Sequence, residues 1–158
     1  MEMIGKGMLA GFAATLVLSA IMFMKSMMGL MPQLDVIGML SGMLGTSLAV
    51  GWLVHFIIGT VFYGAALALL APSLPGGPTV SGVILGVAGW LMMMVLIMPM
   101  AGQGMFGMNL GMEAPVMTLM LHLIFGAVLG WTYGKLVAND VSEPHRRSTG
   151  AGSFQDRG

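Results

Sequence analysis

The sequence predicts an all-α fold, an integral membrane four-helix bundle, and three observations predict it. Hydrophobic residues make up 57% of the chain and charged residues 8%, where soluble domains carry roughly 25% charge. Mean hydropathy is +0.93. The apolar residues fall in four long runs separated by proline and glycine, each close to the ~20 residues that cross a bilayer as a helix. With 158 residues in all, four such runs leave little chain for a domain outside the membrane.

The first span is expected over residues 7–31, closed by Pro32 and carrying Lys25 as its one charge. The apolar run continues well past the small residues Ser19 and Ala20, so an uncleaved helix is the better reading than a signal peptide. The second covers 49–71 and stops at a tight connection marked by Pro72, Pro75, Gly76, Gly77 and Pro78. The third covers 79–98 and ends before Pro99, and the fourth covers 115–138. Residues 1–138 thus form one transmembrane domain, and 139–158 read as a polar, disordered cytoplasmic tail.

Lys6 precedes the first span, and Lys135, Arg146, Arg147 and Arg157 lie at or beyond the end of the fourth. Basic residues stay on the cytoplasmic side, so both termini are expected there. The connections 32–48 and 100–114 then face outward, and they are too apolar for simple loops. Asp35 is placed to cap a short helix beginning at Val36. Both connections are expected to be interfacial or re-entrant segments.

The two halves match at a constant shift. Met31-Pro32 recurs as Met98-Pro99, and His55-Phe56-Ile57-Ile58-Gly59 recurs as His122-Leu123-Ile124-Phe125-Gly126. Each proline precedes its histidine by the same interval. Two parallel two-helix repeats, 1–71 and 72–138, follow from this, related about an axis along the membrane normal. His55 and His122 are then expected at one depth, about two turns in from the outer ends of their helices.

Helices associate in lipid through close backbone approach and interhelical hydrogen bonds. Small residues for that approach stand at Gly7 and Gly11, at Gly59, at Gly82 and Gly86, and at Gly126, Gly130 and Gly134. Their expected role is packing.

Ionisable groups deep in a membrane are costly and face the bundle interior, which makes His55 and His122 the candidate ligand or relay residues. Lys25, Asp35 and Glu113 are their candidate polar partners. One reading is structural: each histidine makes one interhelical hydrogen bond, and Lys25 pairs with Asp35 or Glu113. The chain is then a structural or accessory subunit. A second is haem b held between the two imidazoles, with Gly59 and Gly126, four residues beyond each histidine, making room for the macrocycle. A third is copper, since thioethers suit Cu(I) and the 20 methionines cluster at 22–31, 92–100 and 105–112. Methionine also fills irregular gaps in a core. A fourth makes the histidines relays in a proton or small-solute path.

Several classes are excluded or unsupported. Cysteine is absent, which removes disulfides, thiolate metal sites and thiol nucleophiles. Six basic residues balance six acidic ones, so no nucleic-acid partner is implied. No HExxH motif or phosphate-binding glycine loop occurs, and no enzyme activity is expected. The expected partners are the lipid bilayer and either further copies of the chain or a larger membrane complex.

The run Gly29-Leu30-Met31-Pro32-Gln33-Leu34-Asp35-Val36 resembles a family of small uncharacterised four-span bacterial inner-membrane proteins of similar length. His55-x-Ile57-x-Gly59, Met98-Pro99-Met100-Ala101-Gly102 and Met117-Thr118-Leu119-Met120-Leu121-His122 carry the same resemblance. It covers nearly all of the chain apart from the tail. It implies a bacterial inner-membrane location and brings no activity or assigned residue.

Overall fold

The computed structural model describes residues 2–142, and among them every regular element is helical. Four helices are long and apolar enough to cross a membrane: α1 (Glu2–Met27), α3 (Leu48–Ser73), α4 (Gly77–Met100) and α5 (Glu113–Ser142). A short helix, α2 (Val36–Met43), occupies the first long connection. The second holds the 3-10 turns of Met105–Leu110, broken by left-handed backbone at Phe106 and Gly107.

The helix ends depart from the sequence boundaries for physical reasons. α1 starts at Glu2, so Lys6 lies within the helix, and it stops at Met27 rather than at Pro32. The stop is a left-handed cap at Gly29, φ +65°. There the Gly29 and Leu30 amides donate back to the Ser26 and Lys25 carbonyls at 3.1 Å each, satisfying groups that a helix end orphans. α4 runs through Pro99 to Met100. A π-turn at Met93–Ile97 precedes it, and its widened backbone lets the helix continue past a ring that would strike the carbonyl four residues back. α5 extends to Ser142, so 139–142 are helical rather than tail. The remainder of the expected tail, with Arg146, Arg147 and Arg157, lies outside the described residues.

Glycines build each hairpin. Gly7 packs on Gly64, and Gly11 on Gly59 and Thr60, so closely that a Cβ on either would run into the α3 backbone. Gly82 meets Gly126, and Gly130 meets Pro78 and Thr79, in the same way between α4 and α5. Close backbone approach supplies the van der Waals contact that lipid exclusion cannot. Gly86 belongs to this seam through the His122 carbonyl, and Gly134 touches only the Pro78 ring.

The two hairpins join through larger side chains. Ala10 and Ala14 of α1, Leu67 and Ala68 of α3, and Phe125, Leu129 and Tyr133 of α5 form one buried cluster. α5 packs against both α1 and α4 and is the most buried span at 39%, whereas α3 is the least at 22%. α3 and α4 approach each other chiefly through residues 64–70, beside their short connection. From there they diverge toward the long connections, and the gap between them is where the candidate site lies.

Candidate functional site

A cavity of about 360 Å³ occupies that gap, with His55 and His122 both in its wall. Its floor is an aromatic pair, Tyr63 of α3 set edge-on to Phe125 of α5 with ring centroids 5.0 Å apart. The Tyr63 hydroxyl reaches α4 at Gly89, where a Cβ would collide with it. Its roof is α2, through Val36, Met39 and Leu40.

Local chemistry fixes that roof. Asp35 caps α2 by accepting the Gly38 amide at 2.9 Å, as its position before an apolar run predicts. Ile37 and Ser41 of α2 seat against Gly51 of α3, where a Cβ would meet the Ile37 carbonyl. Lys25 holds the connection from the other side. Its Nζ donates to the carbonyls of Leu34 at 2.8 Å and Met31 at 3.0 Å. Lys25 thus ties the turn that brings α2 over the cavity.

The expected polar layer is therefore split. Among the described residues Lys25 makes its hydrogen bonds to backbone carbonyls and none to an acidic side chain, while Asp35 is near enough to act on its charge through space. Asp35 is exposed and borders a separate cleft of about 480 Å³ between the two long connections. Glu113 is exposed in the first turn of α5, where a carboxylate complements the helix dipole. None of the three lines the cavity.

The histidines differ in their partners. His55 Nε2 lies 3.4 Å from Ser19 Oγ of α1, and its ring stands edge-on to Trp52 and Phe56, centroids 5.9 Å away in both cases. His122 bonds within its own helix, with Nδ1 2.8 Å from the Thr118 carbonyl one turn earlier. A carbonyl only accepts, so Nδ1 carries a proton. In the neutral ring Nε2 is then an acceptor. The expected interhelical bond is present for His55 and, among the described residues, absent for His122.

Residues that the sequence does not single out line or support the wall. Thr118 is buried and accepts from Trp90 Nε1 at 3.2 Å, while its own hydroxyl donates to the Ala114 carbonyl at 2.7 Å. Trp90 Nε1 also reaches the Pro115 carbonyl at 3.0 Å. Thr118 stands one turn before His122, a spacing that puts two polar groups on one helix face, and this is the one signal that could have found it. Ser19 has none, being one hydroxyl in an apolar run.

The metal readings lose support here. Among the described residues no three of His, Asp and Glu come together as a ligand set. The glycines beyond the histidines leave no space for a macrocycle, because Gly59 is filled by Thr15 and Gly126 by the Gly82 backbone. Four methionines, Met22, Met39, Met92 and Met93, do line the cavity, and their flexible thioethers give it an adaptable apolar wall.

The opening faces sideways. Phe62 of α3 and Met92 of α4 line the cavity and are 67% and 58% exposed on the outer surface of the bundle. π-turns flank it on both helices, at Ile58–Tyr63 in α3 and Met93–Ile97 in α4, and such turns gather at functional sites.

No curated protein and no solved structure matches the chain. A family model matches it over residues 1–143. The chain belongs to that family, a family of unknown function designated DUF6789.

Proposed function

We propose that the chain is a non-catalytic multi-pass membrane subunit that takes an apolar, lipid-soluble molecule from the bilayer into the cavity between α3 and α4. The observation that carries this reading is the sideways opening at Phe62 and Met92 into a cavity of about 360 Å³. That volume lies at the small end of the range for ligand pockets, roughly 300–1,000 Å³, and suits one ring with a short chain. A void needed only for packing would be filled, since interiors tolerate few gaps larger than a water molecule.

The bacterial inner membrane is the proposed location, with both termini cytoplasmic. Support comes from Lys135, whose Nζ sits 5.8 Å from the Trp131 ring centroid toward the C-terminal end of α5. Paired Trp and Lys at a helix end is the signature of a membrane interface. We also infer that the hairpins are duplicates. In support, Gly59 packs on Thr15 and Gly126 on Gly82, partners displaced by the interval that separates His55 from His122.

Saturable binding of 4-hexylphenol to the full chain in lipid nanodiscs, measured against empty nanodiscs, tests the reading. One molecule per chain is expected, lost in Ile58→Trp, which fills the cavity wall. No binding beyond partition into lipid overturns it.

A further inference from the structure

The cavity wall is apolar apart from a few groups, and their hydrogen-bonding state restricts what the cavity accepts. The threonine hydroxyls around it are already committed, whereas the Tyr63 hydroxyl on its floor has no hydrogen-bond partner among the described residues. Thr15 donates to the Gly11 carbonyl at 2.7 Å, Thr118 to the Ala114 carbonyl at 2.7 Å, and Ser19 and His55 face each other at 3.4 Å. Each histidine is committed on one side only, and for His122 the partner fixes which nitrogen carries the proton. The His122 Nδ1 proton is held by the Thr118 carbonyl at 2.8 Å, and Nε2 has no hydrogen-bond partner among the described residues. In the neutral ring that nitrogen presents a lone pair and no proton. A lone pair in apolar surroundings is stabilised by a donor.

We infer that the occupant is an apolar molecule bearing a hydroxyl group, and that His122 Nε2 accepts the hydrogen bond from it. This rests on the reading of the cavity as a ligand site. An occupant that only accepts, such as an ether, leaves Nε2 unpaired and desolvated. A phenol or alcohol of the same shape satisfies it. Discrimination of this kind is asymmetric, because a site built to pair with a hydroxyl rejects the analogue lacking it. His122 is thus a specificity residue for the donated hydrogen, beside the Tyr63 hydroxyl and His55, and the apolar walls set size.

The test compares 4-hexylphenol with its methyl ether, 4-hexylanisole, on the full chain in nanodiscs by equilibrium partition against empty nanodiscs. Both carry an oxygen that accepts; the ether also adds a methyl group, and the His122→Phe variant separates that added bulk from the loss of the donated hydrogen. The phenol is expected to bind at least about tenfold tighter than the ether, the effect of one hydrogen bond left unmade in a dry site. In His122→Phe the two affinities converge to within about twofold, with ether binding retained. Equal binding of both to the unaltered chain overturns the hydroxyl inference and leaves the cavity reading standing. A preference that survives in His122→Phe overturns the assignment to Nε2. Binding of neither overturns the cavity reading, and the inference with it. The comparison on the unaltered chain decides even where the variant fails to fold.

Discussion

Gly82 and Gly126 meet across the α4–α5 crossing with no room for a Cβ on either, since each would strike the carbonyl oxygen of the other. The contact is backbone on backbone, so no side chain is there to move aside. This is the tightest form of helix association in lipid, and it holds the helix bearing His122 against the helix that flanks the cavity mouth.

Gly126→Val therefore forces the two helices apart. Overpacking of a close contact costs about 1–3 kcal/mol, and the loss is expected in SDS-driven unfolding of the purified chain. Gly5→Ala is the control. A Cβ added at Gly5, on α1, would meet nothing within 4 Å, and alanine there is expected to be neutral or to stabilise by up to about 1 kcal/mol through helix propensity. Equal destabilisation by both changes would show that the seam is not the determinant.

Lys25 gives a second prediction. Its ammonium is bound by the carbonyls of Met31 and Leu34, so Lys25→Met keeps the stem length and removes the tie. Hydrogen bonds to a charged group are worth about 1.5–3 kcal/mol, and the stretch 28–38 is expected to gain amide exchange by a corresponding factor. Asp35→Ala should act mainly on α2, at about 1 kcal/mol for a lost cap, and also removes the negative charge that acts on Lys25. If exchange in 28–38 were unchanged in Lys25→Met, the tie would be incidental.

The parts of this structure legible in the sequence are those written in composition. The four spans announce themselves because a bilayer demands about 20 apolar residues in a row, and Asp35 announces α2 because a carboxylate before an apolar run has an amide to accept. Boundaries are hidden where hydropathy is blind to backbone geometry. Met28, Leu30 and Met31 read as more helix, yet Gly29 ends α1 by turning left-handed. Pro99 reads as a stop, yet the π-turn before it carries α4 onward. At the candidate site, His55 and His122 stand out in the sequence as costly groups in a membrane. Their partners do not, because Ser19 comes from another helix and the Thr118 carbonyl belongs to the backbone. Charge alone pairs Lys25 with a carboxylate, and the backbone carbonyls that it binds are invisible to such reasoning.

Trp90 and Thr118 supply the last prediction. Trp90 Nε1 is shared between Thr118 Oγ1 at 3.2 Å and the Pro115 carbonyl at 3.0 Å, joining α4 to α5 beside the cavity. Thr118→Val removes one of two acceptors and leaves the indole satisfied by the other, so the expected loss is at the low end for one hydrogen bond, about 0.5 kcal/mol. Trp90→Phe removes the donor and part of the ring, and the loss rises to about 2 kcal/mol, most of it from packing. Made together, the two changes should cost less than their sum, since the bond between them can be lost only once. A coupling of about 0.5 kcal/mol in SDS unfolding is expected. Strict additivity would mean that the Pro115 carbonyl alone holds the indole and that Thr118 serves only its own helix.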